Sequence, residues 1–245
     1  MIDDANLNDV MLTVADPNEA VTYFQRIVGE QSANLEFNRG LSQSLIRANR
    51  NDEGAAAWQR TVALSDATDD DRVELADALI RSGDWATAEK TLTGIPPTHE
   101  TFKRYRLEAI VADSKQQWKK ADSFYEIAVG LTTSPAPVLN NWGYSKLTRG
   151  DFKDAERLFT SAISQDSGLF TAKNNLVLAR GAQRNYSLPV IPMDQVERAQ
   201  LLHTLALSAI KQGDVETGKA LLRDAIDTHP QHFEAASRSL AALEA

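Results

Sequence analysis

Apolar residues recur three and four apart through most of the chain, in short blocks separated by turn residues. The most regular stretch is Ala136–Leu169. Val138, Leu139, Trp142 and Leu147 mark one helix, and Gly150-Asp151 breaks it. Ala155, Leu158, Phe159, Ala162 and Ile163 then fall on one face of a second helix. Gly143 and Ala155 are small where two helix axes would cross closely, and Trp142 and Phe159 are large where space would need filling. With Gly150 at place fifteen and Ala155 at place twenty, this stretch serves as a ruler for the rest.

Laid backwards, the ruler keeps fitting. Residues 1–34 place Leu7 and Met11 in a first helix and Ala20, Phe24 and Ile27 in a second, with a turn at Asp16-Pro17, proline suiting the first turn of a helix. Residues 35–68 place Leu41, Leu45 and Ile46, then Gly54, Trp58 and Val62, and Asn49 stands where the turn glycine belongs, a residue that tolerates the left-handed conformation. Residues 69–101 give Leu75, Ala76 and Leu79, then Gly83-Asp84-Trp85, Ala88 and Leu92, closed by Pro96-Pro97. Residues 102–135 give Tyr105, Ala109 and Ala112, then Trp118, Ala121, Tyr125 and Ala128, with Gln116 in the glycine's place.

After Leu169 the rhythm breaks. Residues 170–183 read as a first helix through Ala172, Leu176 and Ala179, but Leu188-Pro189-Val190-Ile191-Pro192 follows where its partner helix belongs. Two prolines three apart forbid helix interior and favour extended chain. This loop reads as a filler covering the exposed side of the half-repeat, or as an edge offered to a partner. Asp194 with Glu197 has the form of a capping box opening the next helix. Leu201, Leu202, Leu205, Ala206 and Ile210 continue it, Gly213-Asp214 ends it, and Gly218, Leu221, Leu222, Ala225 and Ile226 form its partner. Phe233, Ala236, Leu240 and Leu243 mark a last helix whose outer face is polar, as suits an array cap.

The 34-residue helix-turn-helix unit with these small and aromatic places resembles the tetratricopeptide (TPR) repeat. The resemblance implies an all-α, right-handed superhelix forming a single solenoid domain over residues 1–245. It would hold about six full repeats (1–34, 35–68, 69–101, 102–135, 136–169 and 199–232), an irregular half-repeat over 170–198 and a cap helix over 233–245.

Composition narrows the function classes. Of 245 residues, 42% are hydrophobic and 24% charged, enough for a continuous core. A net charge of −8 lacks the basic footprint of nucleic-acid binding, so no nucleic-acid partner is expected. No run of apolar residues is long enough for a transmembrane helix. Cysteine is absent, which removes disulfides and thiolate chemistry.

Little points to catalysis. His229-Pro230-Gln231-His232 has no cysteine ligand, and its proline stands at the usual repeat end, so it reads as an inter-helix loop rather than a metal site. Asp69-Asp70-Asp71 lacks the spacing of a calcium loop and reads as a solvated helix cap. The four tryptophans fall at places assigned to packing. No phosphate-cradling glycine loop or Gly-x-Ser-x-Gly elbow occurs. The expectation is a non-catalytic protein without cofactor or metal.

In a TPR array the first helices line the concave face, and places two, five, six, nine and twelve look into the groove. Asn140, Asn141 and Tyr144 hold five, six and nine of one repeat; Asn174 and Asn175, with Lys173 beside them, hold five and six of the next. Two Asn-Asn pairs one repeat apart make a ladder of amides that can donate to and accept from the backbone of an extended peptide. The alternative is that these asparagines cap or pack locally. The Lys and Asn clamp that some TPR proteins use for C-terminal carboxylates is incomplete here, so that ligand is not assigned.

The order Asn140-Asn141-Trp142-Gly143, Asn174-Asn175-Leu176, Leu188-Pro189, Glu197-Arg198-Ala199-Gln200-Leu201-Leu202, Gln212-Gly213-Asp214 and His229-Pro230-Gln231-His232-Phe233-Glu234-Ala235-Ala236 resembles the TadD-like assembly proteins of the bacterial Tad (Flp-type) pilus system. That resemblance, over residues 136–240, implies a protein-binding scaffold for pilus assembly or secretion. Its partner would be a secretin or other pilus component. Its location would be periplasmic and outer-membrane-associated through a lipid anchor in the full-length protein, with a lipobox upstream of Ile2. Without such a leader the expectation is a cytoplasmic TPR scaffold or regulator that binds a peptide segment.

Overall fold

A computed structural model describes residues 4–244, with side chains from Leu7 onward. Met1–Asp3, which open the expected first repeat, and Ala245, which ends the expected cap, lie outside the described residues. Among the described residues there are fourteen α-helices and no strand. None of these helices is long and apolar enough to cross a membrane. The chain divides into two compact units, Met1–Leu131 and Thr132–Ala245.

The first unit is four helical hairpins: α1 (Asp4–Thr13) with α2 (Pro17–Glu30), α3 (Leu35–Arg47) with α4 (Asn51–Thr61), α5 (Asp69–Ser82) with α6 (Trp85–Thr93), and α7 (Phe102–Ser114) with α8 (Trp118–Gly130). The second holds the hairpin of α9 (Ala136–Thr148) and α10 (Phe152–Gln165), the lone α11 (Phe170–Ala182), the hairpin of α12 (Gln195–Lys211) and α13 (Val215–Thr228), and α14 (Glu234–Glu244).

One turn recurs after every first helix from α3 onward. Asn49, Gly83, Gln116, Gly150, Arg184 and Gly213 all take positive φ, between 57° and 85°. The amide of the following residue then closes on a carbonyl five back: Arg50 on Leu45, Asp84 on Leu79, Gln117 on Ala112, Asp151 on Lys146, Asn185 on Arg180 and Asp214 on Ala209, all at 2.9–3.0 Å. This is the Schellman closure of a helix C-terminus. Gln116 adopts it without glycine's freedom, as Asn49 does. Arg184 extends the series into the irregular segment, so Arg184-Asn185-Tyr186 stands where Gly150-Asp151-Phe152 stands in the hairpin before it.

Pro189 stops the expected second helix there, and the chain crosses as a loop. Its Tyr186 hydroxyl donates to Asp214 at 2.5 Å, Arg184 pairs with Asp214 at 2.9 Å, and Leu188, Ile191 and Met193 pack on neighbouring cores. Pro189 is buried while Val190 is fully exposed. The loop therefore covers the half-repeat with its own apolar side chains, as the filler reading expects.

Small residues admit the close crossings. A Cβ on Gly143 would lie 2.6 Å from the Phe159 ring, and one on Gly54 would lie 2.5 Å from Ile46. Of the tryptophans assigned to packing, Trp58 is buried at 2% exposure but Trp85 is 38% exposed. Trp85 opens α6 directly after its Asp84 cap, on the rim of the hairpin rather than under it. Asp71 also departs from expectation. It is buried, accepting from Arg39 Nε at 2.6 Å and Nη2 at 2.7 Å and from the Thr68 amide at 2.7 Å. Burial pushes its carboxyl up, but the Arg39 and Thr68 donors together outweigh that and hold it below the ordinary value. Asp71 thus ties α3 to α5, while only Asp69 and Asp70 remain at the surface.

α14 docks through Phe233, which stacks on His229 at 5.0 Å and meets the His203 ring edge-on at 5.4 Å. His203 Nε2 lies 3.4 Å from Ser239 Oγ. Burial pushes the His203 pKa below 6.5, disfavouring its charged form.

Two outcomes follow. Gly143→Ala lowers unfolding free energy by about 1 kcal/mol, overpacking against Phe159 exceeding alanine's helix preference, whereas Gly29→Ala, with nothing within 4 Å of the new methyl, raises it by a few tenths to about 1 kcal/mol; urea midpoints read both. The unfolded chain binds a proton at His203 more readily than the folded one, so this residue's contribution is present above about pH 6.5 and falls as pH drops below it. The loss of stability between pH 7.5 and 5.5 is accordingly smaller in His203→Gln than in the parent.

Candidate partner-binding groove

In the second unit, the first helices α9, α11 and α12 lie in sequence against one another. Their polar row is closed on itself. Asn175 Nδ2 donates to Asn140 Oδ1 at 3.0 Å, and Thr204 Oγ1 donates to Asn174 Oδ1 at 2.8 Å. On the ruler both bonds run from place six of one first helix to place five of the one before. The Asn140 and Asn174 oxygens and the Asn175 amide nitrogen thus join helices rather than standing in an open ladder. Asn141 is half-buried beside Asn140.

Lys173 is buried at 2% exposure, with Nζ at 2.9 and 2.7 Å from the two Glu197 oxygens. Glu197 in turn accepts from the Asp194 amide at 3.1 Å, while the Glu197 amide donates to Asp194 Oδ1 at 2.8 Å. The capping box expected at Asp194 therefore exists, and Lys173 locks α11 to it. A lysine so placed fixes helix position; its ammonium does not face the groove.

Of the six expected residues, Tyr144 is the one that stands at the surface, 53% exposed. It opens a groove of about 610 Å³ lined by Tyr144 and Leu147 of α9, Leu178 and Ala182 of α11, and Thr204, Leu207, Ser208 and Lys211 of α12, with Gln212 at its end. Tyr144, Leu178 and Leu207 all hold place nine, so they form a row from helix to helix. Leu207 is 45% exposed. Lys211 is the one charged side chain in this lining, and no acid joins it. α12 comes close to α11 because Gly181 has no side chain: a Cβ there would meet Ser208 Cβ at 2.8 Å. Gln212 Nε2 donates to the Gly181 carbonyl at 2.6 Å and closes that end.

Leu178, Leu207 and Lys211 are not among the residues expected from the sequence, where polarity at groove places is the criterion. Their signal was present: Leu207 falls off the apolar face that Leu201, Leu202, Leu205 and Ile210 define, at the place Tyr144 holds two first helices earlier.

The first unit is lined differently. One of its cavities, of about 280 Å³ between α3, α4 and α5, includes Gln43, Arg47, Glu74 and Asp77, and Lys103 pairs with Glu74 at 2.6 Å beside it. This unit has 22 acids against 14 bases, whereas the second has twelve of each. The chain's net negative charge thus resides wholly in the first unit.

Residues 200–232 match the tetratricopeptide repeat profile, covering α12 and α13. No curated protein matches the chain in sequence. Among solved structures, the APC/C hetero-tetramer Cut9-Hcn1 is similar over 98% of this chain and 47% of that one, at 13% identity and a TM-score of 0.67. The human IFIT1 dimer with PPP-AAAA is similar over 93% of this chain and 59% of that one, at 16% identity and 0.62. A tetratricopeptide repeat protein from Parabacteroides merdae is similar over 94% and 93%, at 12% identity and 0.61. The chain spans about half the length of the first and under two thirds of the second. The fold is all-α and built of tetratricopeptide-type repeats, an architecture that generally serves as a scaffold for protein or peptide partners.

Lys173→Met leaves Glu197 without its partner and lowers stability by about 3 kcal/mol, whereas Lys173→Met with Glu197→Met recovers most of it. Urea denaturation of the two variants separates this positioning role from direct partner contact.

Proposed function

We propose that the chain is a non-catalytic scaffold that captures an apolar segment of a partner protein in the groove between α9, α11 and α12. The observation that carries this is the row Tyr144, Leu178 and Leu207 on consecutive first helices, in which Tyr144 and Leu207 are exposed and Leu178 is half-buried between them. An apolar row in a concave, largely preformed site is a surface whose burial is favourable. In this reading Asn140, Asn174, Asn175 and Lys173 hold the helices that present the row, and Asn141 flanks it.

The finer assignment is to assembly of a Tad-type pilus in the periplasm, with a secretin or another pilus component as the partner. It rests on the motif order from Asn140 to Ala236, which the place-nine row neither adds to nor uses. Its test is capture of partners from a pilus-making strain with the full chain as bait; recovery of neither a secretin nor any pilus component removes this assignment and leaves the groove reading standing.

For the groove itself, Leu207→Asp and Tyr144→Asp each put a charge where an apolar contact is buried, and each weakens partner capture at least tenfold, from the loss of about 1.5–3 kcal/mol of apolar burial. Both residues are exposed, so helix content and the urea midpoint stay close to the parent's. Undiminished capture by both variants would place the binding surface elsewhere.

A further inference from the structure

Resting on that groove reading, we infer that the bound segment is an amphipathic α-helix with an acidic residue beside its apolar stripe, not an extended peptide. Three observations converge on this. An extended peptide gains its affinity by pairing its backbone with donors and acceptors along the groove, and here Asn175 bonds Asn140, Thr204 bonds Asn174, and none of the four asparagines lines the groove. What remains toward solvent is side-chain surface, which a helix with internally satisfied backbone groups can cover without leaving polar atoms unpaired.

Spacing gives the second argument. Packed helices lie about 8–10 Å apart, so the place-nine residues of α9, α11 and α12 step along the groove at that interval. Same-face residues of an extended chain repeat about every 6.8 Å and fall out of step by the second gap. Two turns of a helix advance about 10.5 Å, and a stripe that continues through i, i+7 and i+14, with i+3 or i+4 between, keeps apolar side chains over Tyr144, Leu178 and Leu207 in turn.

The third argument is charge. Lys211 is exposed at one end of the lining, and no carboxylate faces it among the lining residues. A helix with an acid next to its stripe complements that cation and fixes its direction along the groove; a basic helix would not.

The test is a random 16-residue peptide library displayed on phage, panned on the full chain and counter-selected on its Leu207→Asp and Tyr144→Asp variants. The expected peptides carry apolar residues at i, i+7 and i+14, with i+3 or i+4 between, and an acid beside them. A central proline weakens a synthetic copy at least thirtyfold, and Lys211→Glu weakens it about tenfold. Selected peptides with an alternating apolar pattern that tolerate the central proline overturn the helical inference while leaving the groove reading intact. Helical peptides without an acid that ignore Lys211→Glu overturn the charge component. Failure to recover any peptide that separates the parent from both variants overturns the groove reading itself.

Discussion

A helix of thirteen residues can bury one stripe only against a neighbour, so everything here depends on bringing the chain back at the right angle. The device is the left-handed residue at the end of each first helix, with the backbone bond it permits. It is repeated at Asn49, Gly83, Gln116, Gly150, Arg184 and Gly213. Only three of the six are glycine. A left-handed non-glycine residue carries a conformational cost of about 1–2 kcal/mol; it persists at Gln116 between two packed helices, and at Arg184, where a loop follows, beside the bonds of Arg184 and Tyr186 to Asp214. The turn is therefore imposed by the hairpin as much as by its own sequence.

That distinction explains what could be read in advance. The hairpins, the small residues at crossings such as Gly143 under Phe159, and the capping box at Asp194 are local or strictly periodic, and periodic signals survive without structure. Asp71 and Lys173 were not legible in the same way. Each looks like an ordinary surface charge at its own place in the chain, and each is buried by a partner far along it, Arg39 or Glu197. Burial of a charge is decided by whether such a partner arrives, and spacing within one repeat holds no information about that.

The candidate site was half legible for a related reason. Tyr144 at place nine is expected to face the groove and stands exposed in its lining. The polar neighbours at five and six drew more attention because amides invite ligands. In the folded chain the same amides are closest to the next first helix, so they bond across it. The aliphatic residues at place nine stand one turn further on, past the line of helix contact, and remain open.

This division also bears on what the resemblance to pilus-assembly proteins can carry. Its most distinctive residues, Asn140, Asn174 and Asn175, are those that zip α9 to α11 and α11 to α12. A motif whose side chains join repeats reports how repeats stack, and proteins that stack alike will share it whatever they bind. In the proposed reading the residues that face a partner are others: Tyr144, Leu178 and Leu207 along the row and Lys211 at its end. If that reading holds, partner preference follows place nine more closely than places five and six, and a resemblance carried by the asparagines bears on stacking rather than on the ligand.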